Sequence, residues 1–379
     1  MAAIEIVAVG SKAELDRFIR VPMRLSADDP AYVAPLVMER EEALSAKVNP
    51  FFAHAEVQFW LAVRGGVDVG RISAQIDHLA PQDPRRPTGA FGLIAAEDDP
   101  AIFKALLETA EAWLKTRGMA AVQGPFNLSV NEEVGLLVKG FDTPPMLMMG
   151  HDPRYAGPQI EAQGYAKAKD VYAYLVSFAP DNPIDRLFKR VDRQPSPGVV
   201  LRKLDMKRYG EEVATLTEIL NDAWCDNWGF TPTTEAETKH LANSMRPLID
   251  PKLIWFAEID GESAGVCVML PNLNEAIAGL NGKLLPFGWA KLVWRLKIKR
   301  VKSTRVPLMG VRKAFANSPR AKLLPFQMMS AATTEARKMG YEWCEFSWIL
   351  EDNMPMRRIS EMTGGARYKT YRIYEKALA

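Results

Sequence analysis

Polar residues able to bind a ligand or move a proton are concentrated in one segment of the first half, residues 124–155. The segment follows a predicted short strand at 120–122, and open α/β sheets bind ligands beyond the carboxyl ends of their strands. Asn and Ser side chains also stabilise turns, which would explain part of the same composition without a ligand. We favour substrate binding here. The candidate residues are Asn127, Ser129, Asn131, Glu132, His151 and Tyr155.

The elements that must position this segment are repeated. A pattern Trp-x-Ala-x3-Gly-x3-Gly begins at Trp60 and again at Trp255, with every position offset by 195 residues. Each copy lies in an apolar stretch broken by a two-residue turn, which predicts a β-hairpin. A period of half the chain predicts two related domains. We expect them at 1–180 and 199–379, joined by a proline-rich linker at 181–198 in which 184–191 is a candidate helical turn.

The composition excludes several classes of protein. The 379 residues carry a net charge of only +2, so we expect no nucleic-acid partner. Three cysteines and four histidines show neither disulfide nor metal-ligand spacing, so we expect no metal cofactor. The amino terminus lacks a cleavable signal pattern, and no run of about 18 apolar residues is present. These features predict a cytoplasmic protein that touches the inner face of the membrane at most peripherally.

Hydrophobic periodicity predicts the same order of elements in both halves: strand, helix, hairpin, strand, helix, strand, short helix, strand. In the first half, Ser11 and Glu14 have the spacing of a capping box, and Pro100 stands at the start of another helix. In the second half, the clearest helices are expected at 211–224 and 322–339. This order predicts an α/β fold with a mixed sheet and helices on both sides.

The element order resembles the Gcn5-related N-acetyltransferase (GNAT) fold, and the duplication resembles the tandem-GNAT acyltransferases. The resemblance implies an acyl-CoA-dependent N-acyltransferase with a loop for the CoA pyrophosphate at a helix start. The matching loop lacks the family's glycines, and Pro319 and Pro325 lack an N–H group. The matching residues are Val311, Arg312, Asn317, Ser318, Arg320, Ala321 and Lys322. Because the equivalent first-half loop, 95–100, is acidic, we expect acyl-CoA to bind only the second half.

Further roles in the second half are implied by the resemblance alone. Asn353 would bond to the pantetheine arm, Glu351 would take the proton from the amine, and Tyr371 would protonate the departing thiolate. Helix capping by Asn353 and strand packing of Tyr371 are the structural alternatives. The aromatic segment 221–232 would border the acceptor pocket or belong to the core. Its candidate residues are Trp224, Asn227 and Trp228.

The two halves differ by insertions. The first half has 21 extra residues between Gly118 and Gly164, and the second has 27 extra between Gly265 and Gly340. The second insertion contains 283–305, with eight basic residues and no acidic one. Its apolar residues share one face at helical spacing, opposite a basic face, which is typical of a helix lying on an anionic membrane surface. Packing of that apolar face on the second domain is the alternative. The apolar residues are Leu285, Trp289, Leu292, Val293 and Leu296, and the basic residues are Lys291, Arg295, Lys299 and Lys302.

Across the whole chain the sequence resembles the bacterial ceramide synthases, most clearly in 124–135, 221–232 and 283–305. This resemblance implies a fatty acyl-CoA donor and the amine of a long-chain (sphingoid) base as acceptor. Two alternatives stay open. One is another acyl or aminoacyl transferase, such as a peptidoglycan-precursor ligase. The other is a non-catalytic lipid- or nucleotide-binding protein built on degenerate GNAT domains, which the missing loop glycines favour.

Overall fold

The computed structural model describes residues 2–180, 182–194, 196–246 and 249–378. The first half follows the predicted order of elements, and a 3-10 turn at Pro50–Ala53 precedes its hairpin. The elements are β1 (Ile4–Ala8), α1 (Lys12–Leu25), α2 (Val37–Ala43), β2 (Ala55–Arg64), β3 (Val67–Asp77), β4 (Thr88–Ala96), α3 (Pro100–Lys115), β5 (Ala121–Gly124), β6 (Phe126–Asn127), β7 (Glu133–Val134), β8 (Leu136–Lys139), α4 (Ala156–Ala162) and β9 (Ala166–Ser177).

The second half repeats that order, and 3-10 turns at Met206–Arg208 and Pro251–Leu253 precede α6 and β11. The helices predicted at 211–224 and 322–339 correspond to α6 and α11. The elements are α5 (Pro183–Asp192), β10 (Val199–Lys203), α6 (Tyr209–Trp224), α7 (Glu235–Met245), β11 (Ile254–Ile259), β12 (Glu262–Pro271), α8 (Leu273–Ile277), α9 (Gly288–Trp294), β13 (Ser303–Val311), α10 (Lys313–Ala316), α11 (Leu324–Lys338), β14 (Trp343–Leu350), α12 (Met354–Met362) and β15 (Ala366–Ala377).

The chain forms two compact units. Unit 1 comprises Met1–Val171, Ile277–Leu292 and Lys369–Ala379, and unit 2 comprises Tyr172–Ala276 and Val293–Tyr368. The segment expected to link two domains, 181–198, contains α5, whose Ile184 and Phe188 are buried in the core of unit 2.

In unit 1, strands β1 to β4 pair antiparallel in sequence order, and β4 pairs with β5 in parallel. Strand β15 then pairs antiparallel with both β5 and β8. Helix α1 begins with the predicted capping box of Ser11 and Glu14, and its buried face packs in a cluster with Phe59 and Leu61 of β2. Helix α3 begins after the cap Asp99 and packs in a second cluster. The sheet therefore has a helix-lined core on each face.

In unit 2, strands β10 to β13 pair antiparallel in sequence order, and β13 pairs with β14 in parallel. The buried side chains of α11 pack against this sheet together with those of α5. The predicted mixed α/β sheet is confirmed.

The repeated Trp-x-Ala-x3-Gly-x3-Gly pattern has a common structural cause in the two units. Ala62 lies opposite Gly70, and Ala257 lies opposite Gly265, with a β-bulge directly after each alanine. A Cβ atom on Gly70 would lie 2.9 Å from Leu106 Cδ1 of α3, and one on Gly265 would lie 3.3 Å from Met328 Cε of α11. Each glycine therefore allows a helix to pack closely on its hairpin.

Candidate active site

In unit 1, strands β4 and β5 pair only over Thr88–Ala90 and then separate. The chain itself fills the gap, because Phe126 O would lie 1.7 Å from a Cβ atom on Gly92. Leu93 N–H donates to Asn127 Oδ1 at 2.8 Å, and Gln75 Nε2 donates to Phe126 O at 2.6 Å. In the GNAT fold the splayed central strand is where the thioester lies. Asn127 therefore has a structural hydrogen bond at this position in unit 1.

Beyond this gap, unit 1 gathers a cluster of charged side chains from four parts of the chain. We call it the unit 1 polar cluster. Its members are Tyr32 from the loop before α2, Arg40 of α2, Arg71 of β3, and the three carboxylic acids Glu132, Glu133 and Asp152. Arg40 Nη1 lies 3.4 Å from Glu133 Oε1, and Asp152 Oδ2 accepts from Leu137 N–H at 2.9 Å. All six side chains belong to partly buried residues, so they line a recess that keeps some access to water.

The cluster perturbs its own acid–base groups. Burial raises the pKa of Glu132 to about 8, and the charge of Glu133 adds to the shift while Arg40 opposes it. Burial also raises the pKa of Asp152 to about 7, against the hydrogen bond from Leu137 N–H. Burial lowers the pKa of Arg71 to about 10. Two carboxyls that titrate near neutrality in one recess are a feature of acid–base sites.

His151 forms the border of this cluster. Its side chain is 2% exposed, and its Nε2 lies 2.9 Å from Asp29 Oδ2. Burial lowers its pKa, although the contact with Asp29 works in the opposite direction. The imidazole ring lies 6.5 Å from the ring of Tyr32, and its buried Nδ1 has no hydrogen-bond partner within the described residues. Nearby, the fully buried Lys369 donates to Gly140 O and Thr143 O.

The other residues predicted for the acceptor have local roles in unit 1. Ser129 Oγ accepts from Asn131 N–H at 3.1 Å, and Glu132 N–H donates to Ser129 O, so this turn presents Glu132 to the cluster. Tyr155 donates its hydroxyl hydrogen to Ala96 O at 2.8 Å. The structure thus brings Glu132 and His151 to the cluster, while Tyr155 packs beside β4.

In unit 2, β13 and β14 pair only over Ser303–Val306 and Trp343–Phe346. Just inside the end of this pairing, Arg305 and Glu345 lie opposite each other and are 1% and 0% exposed. Arg305 Nε donates to Ser347 Oγ at 2.8 Å, and Ser347 Oγ donates to Glu345 Oε1 at 2.6 Å. Tyr368 also donates its hydroxyl hydrogen to Glu345. The sequence analysis missed this network, and an Arg and a Glu inside two apolar strands were the available signal.

The loop expected to bind the CoA pyrophosphate connects β13, which ends at Val311, to α11. Arg312 Nη2 lies 2.9 Å from Glu218, Arg320 Nη1 lies 2.9 Å from Asp260, and Lys313 pairs with Asp226. Asn317 ends the short helix α10, and Ser318 Oγ accepts from the N–H of the buried Ala321. Lys322 is exposed, and no ion pair to it occurs in the described part of the chain. A bound pyrophosphate would therefore compete with three carboxylates for the loop's cations.

The remaining predicted residues of the second half lie in different surroundings. Asn353 Oδ1 caps α12 by accepting from Met356 N–H at 3.2 Å, and the main-chain oxygen of Glu351 accepts from Arg357. Both residues belong to unit 2, whereas Tyr371 is fully buried within unit 1.

The aromatic segment after α6 lies along β13. Trp224 Nε1 donates to Met309 O at 3.2 Å. Asn227 shapes the turn that follows, with its N–H donating to Trp224 O at 2.8 Å, and Trp228 is partly buried. Trp224 therefore lies against the part of β13 that continues beyond its pairing with β14.

The basic insertion is less regular than predicted. Helix α9 covers only Gly288–Trp294 and continues as a π-helical turn, Arg295–Lys299. Leu292 and Leu296 are partly buried, and Arg305 is buried in β13, so these three do not belong to an exposed amphipathic face. The exposed apolar side chains form what we call the apolar patch. They are Leu285 (78% exposed), Phe287 (78%), Trp289 (56%), Val293 (50%), Trp294 (48%) and Ile298 (72%).

The cations of the insertion divide into two groups. Arg295 donates to Ala276 O, and Lys302 pairs with Glu342 at 2.6 Å, so both are held by the protein. Lys283, Lys291 and Lys299 are exposed, and no ion pair to them occurs within the described residues. Within the same residues, no helix is long and apolar enough to cross a membrane.

Comparison with known proteins identifies the family. The chain is 62% identical over 378 residues to a protein of Caulobacter vibrioides (strain NA1000 / CB15N) named bacterial ceramide synthase, covering 100% of this chain and 98% of that relative. It is 43% identical over 368 residues to protein YghO of Escherichia coli (strain K12), covering 97% of this chain and 94% of the relative. No protein-family model matches.

Solved structures agree on the fold. A tandem GNAT protein from the clavulanic acid biosynthesis pathway aligns with 100% of this chain and 99% of its own, with a TM-score of 0.61 at 13% identity. A GCN5-related N-acetyltransferase from Sphaerobacter thermophilus aligns with 99% of this chain and 96% of its own, with a TM-score of 0.55 at 13% identity. The predicted GNAT resemblance is confirmed for the whole chain. The chain belongs to the bacterial ceramide synthase family and is an N-acyltransferase with a tandem-GNAT fold.

Proposed function

We propose that the protein transfers a fatty acyl group from acyl-CoA to the amine of a long-chain (sphingoid) base. The observation that carries this proposal is the 62% identity, over essentially the whole of both chains, to a protein named bacterial ceramide synthase. An amine acceptor requires a group that removes its proton, and unit 1 holds two carboxyls with a raised pKa.

The proposal divides the substrates between the two GNAT-like domains, 1–180 and 199–379. Acyl-CoA would bind the second, where cationic side chains follow β13 and the chain passes from β14 into α12 within a few residues. The donor residues would be Val311, Arg312, Asn317, Ser318, Arg320, Ala321, Lys322 and Asn353. The acceptor would bind through Asn127, Ser129, Asn131, Glu132, His151, Tyr155, Trp224, Asn227 and Trp228.

The reaction we propose is direct aminolysis. The free amine attacks the thioester carbonyl, and the backbone N–H groups of β13 beyond Val306 hold the oxyanion that forms. Collapse of the tetrahedral intermediate expels the CoA thiolate, which takes up a proton. Glu351 and Tyr371 are the family-based candidates for base and acid.

We also propose that the protein is cytoplasmic and binds the inner face of the membrane through the apolar patch. Six large apolar side chains exposed within 14 residues, beside the cations Lys283, Lys291 and Lys299, match the chemistry of an anionic bilayer surface. The start of the insertion is tied to unit 1, because Val37 N–H at the start of α2 donates to Gly282 O at 3.1 Å. Helix α2 also carries Arg40, so the insertion borders the element that supports the unit 1 polar cluster.

Incubation of the purified protein with palmitoyl-CoA and sphinganine tests the reaction. We expect release of CoA thiol together with one equivalent of N-acyl product detected by mass spectrometry. Acetyl-CoA in place of palmitoyl-CoA reports on the fatty acyl requirement. If no thiol is released with any acyl-CoA and amine pair, the proposed donor is wrong, and aminoacyl transfer or ligand binding without turnover becomes the better description.

A further inference from the structure

The unit 1 polar cluster contains more acid–base chemistry than substrate binding requires. We propose that Glu132, assisted by Asp152, is the base that takes the proton from the ammonium group of the acceptor. The inference rests on the proposed N-acyltransfer reaction and deepens it by assigning the proton acceptor to unit 1 and to a residue outside the conserved GNAT scaffold elements.

Local structure fixes the position of Glu132. The turn at Ser129 and Asn131 holds the backbone just before it, and Asn127 Nδ2 donates to the neighbouring Glu133 at 2.9 Å. The short pair β6–β7 joins Phe126 to Val134 and closes this turn. A side chain presented by a hydrogen-bonded turn on a strand pair is held in place well enough for proton transfer.

Two buried polar atoms at the cluster indicate a polar ligand. Arg71 Nε and His151 Nδ1 are both inaccessible to solvent, and neither finds a hydrogen-bond partner within the described residues. The rest of each side chain is bonded, since Arg71 Nη1 donates to Phe18 O at 3.0 Å and His151 Nε2 contacts Asp29. Buried polar groups usually have partners, so these two fit contacts to polar atoms of a bound molecule. A hydroxyl or carbonyl oxygen beside the amine would satisfy a donor such as Arg71 Nε.

The proton transfer balances without another reactant. The ammonium group R–NH3⁺ gives one proton to the Glu132 carboxylate, which leaves R–NH2 and a neutral carboxylic acid. The amine lone pair then forms the C–N bond as the C–S bond of the thioester breaks. The proton that remains on the new amide nitrogen leaves with the CoA thiolate, so amide and CoA thiol are the products. Glu132 returns its own proton to solvent before the next turnover.

The surrounding charges suit this exchange. Burial raises the pKa of Glu132 and Asp152, so each is a stronger base than an exposed carboxylate. The arrival of a cation next to them favours their charged form and primes the carboxylate at the moment the substrate binds. The charged and titratable groups that face or border the two are Glu39, Arg40, Glu133, Arg71, Tyr32, His151, Asp29 and Lys369.

The test is the pH profile of kcat/KM for sphinganine with saturating palmitoyl-CoA, compared between wild type and three variants. For wild type we expect an acidic limb, with activity rising through about pH 7 to 8. Glu132→Gln should lower kcat/KM by roughly 10²- to 10⁴-fold and abolish that limb, and Glu132→Asp should restore the limb with part of the rate. The matched control is Glu108→Gln, an exposed carboxylate on α3 that faces only Lys104 and should behave as wild type.

The outcomes separate the two proposals. A wild-type protein without thiol release overturns the proposed reaction and the base with it. A wild-type protein that turns over, with Glu132→Gln retaining its acidic limb, overturns the base alone, whether or not the rate has fallen. The Gln variant keeps the size of the side chain, and its melting temperature shows whether a lost activity reflects unfolding. If the melting temperature falls by more than 10 °C, Asp152→Asn is measured instead, and an unchanged limb in that variant also overturns the inference.

Discussion

Membrane binding by the apolar patch can be tested quantitatively, because three of its side chains are almost free of protein contacts. Leu285, Phe287 and Ile298 are 78%, 78% and 72% exposed. Full burial of such a side chain stabilises by about 1.5–3 kcal/mol, so removing three-quarters of its surface from water contributes roughly 1–2 kcal/mol. The three together supply roughly 3–6 kcal/mol if all insert. Shallow insertion of half their surface still supplies about 2–3 kcal/mol.

The perturbation is the triple variant Leu285→Ser, Phe287→Ser and Ile298→Ser. A loss of about 2–3 kcal/mol weakens vesicle binding by roughly 30- to 150-fold. The assay is co-sedimentation with vesicles of phosphatidylglycerol and phosphatidylcholine, titrated over lipid concentration. The matched control replaces exposed aliphatic residues elsewhere, Val48→Ser and Leu241→Ser, which are 46% and 42% exposed. The control should bind as wild type does.

Two results would refute the reasoning. If the triple variant binds anionic vesicles as tightly as wild type, the patch does not insert. If wild type does not bind vesicles at all, the patch has another partner and its exposure needs a different explanation. The salt dependence gives an independent check, because Lys283, Lys291 and Lys299 should each contribute about 1 kcal/mol at an anionic surface, and added salt should weaken that part alone.

Three further predictions concern groups within one unit. Replacing Arg305 with Met leaves Glu345 buried and unpaired, so the free energy of unfolding should fall by about 3–5 kcal/mol in urea titrations, and adding Glu345→Leu should recover most of it. Asp260→Asn releases Arg320 from its ion pair, so KM for acyl-CoA should fall several-fold in steady-state assays, while an unchanged KM would argue against a phosphate role for this loop. Because folding raises the pKa of Glu132 from 4.5 to about 8, the folded protein holds a proton that the unfolded chain has released. Stability should therefore fall as pH rises across that window, and Glu132→Gln should flatten the melting temperature measured against pH.

The sequence predicted the fold well because the signals for it are local. Hairpin turns at Gly65-Gly66 and Asp260-Gly261, the Ser11 capping box and the periodic apolar faces all act within about ten residues. The repeat then fixed the order of elements in both halves. The basic insertion shows where local reasoning failed, since side chains such as Leu292 are covered by contacts that helical spacing alone does not reveal.

The candidate site was only partly predictable because its members come from distant segments. Glu132 and His151 could be selected from one polar stretch. Arg71 looks in the sequence like an ordinary strand residue, and its place beside Asp152 depends on how β3 and the loop before α4 come together. The ion pair of Arg305 with Glu345 depends on strand register across a parallel pair, which no single segment encodes.

One insertion explains why the two copies of the scaffold have diverged. In unit 2 the chain passes from β14 to α12 within a few residues, whereas after β5 unit 1 continues through β6, β7 and β8 before α4 begins. Residues Phe126 and Asn127 of this additional chain fill the gap beside β4, and a few residues later the same chain presents Glu132 to the polar cluster. The segment that occupies the thioester position in unit 1 is therefore also the segment that supplies its acid–base groups. A copy altered in this way is poorly suited to hold acyl-CoA and well suited to receive an amine, so a single change in chain length is sufficient to account for the division of labour we propose.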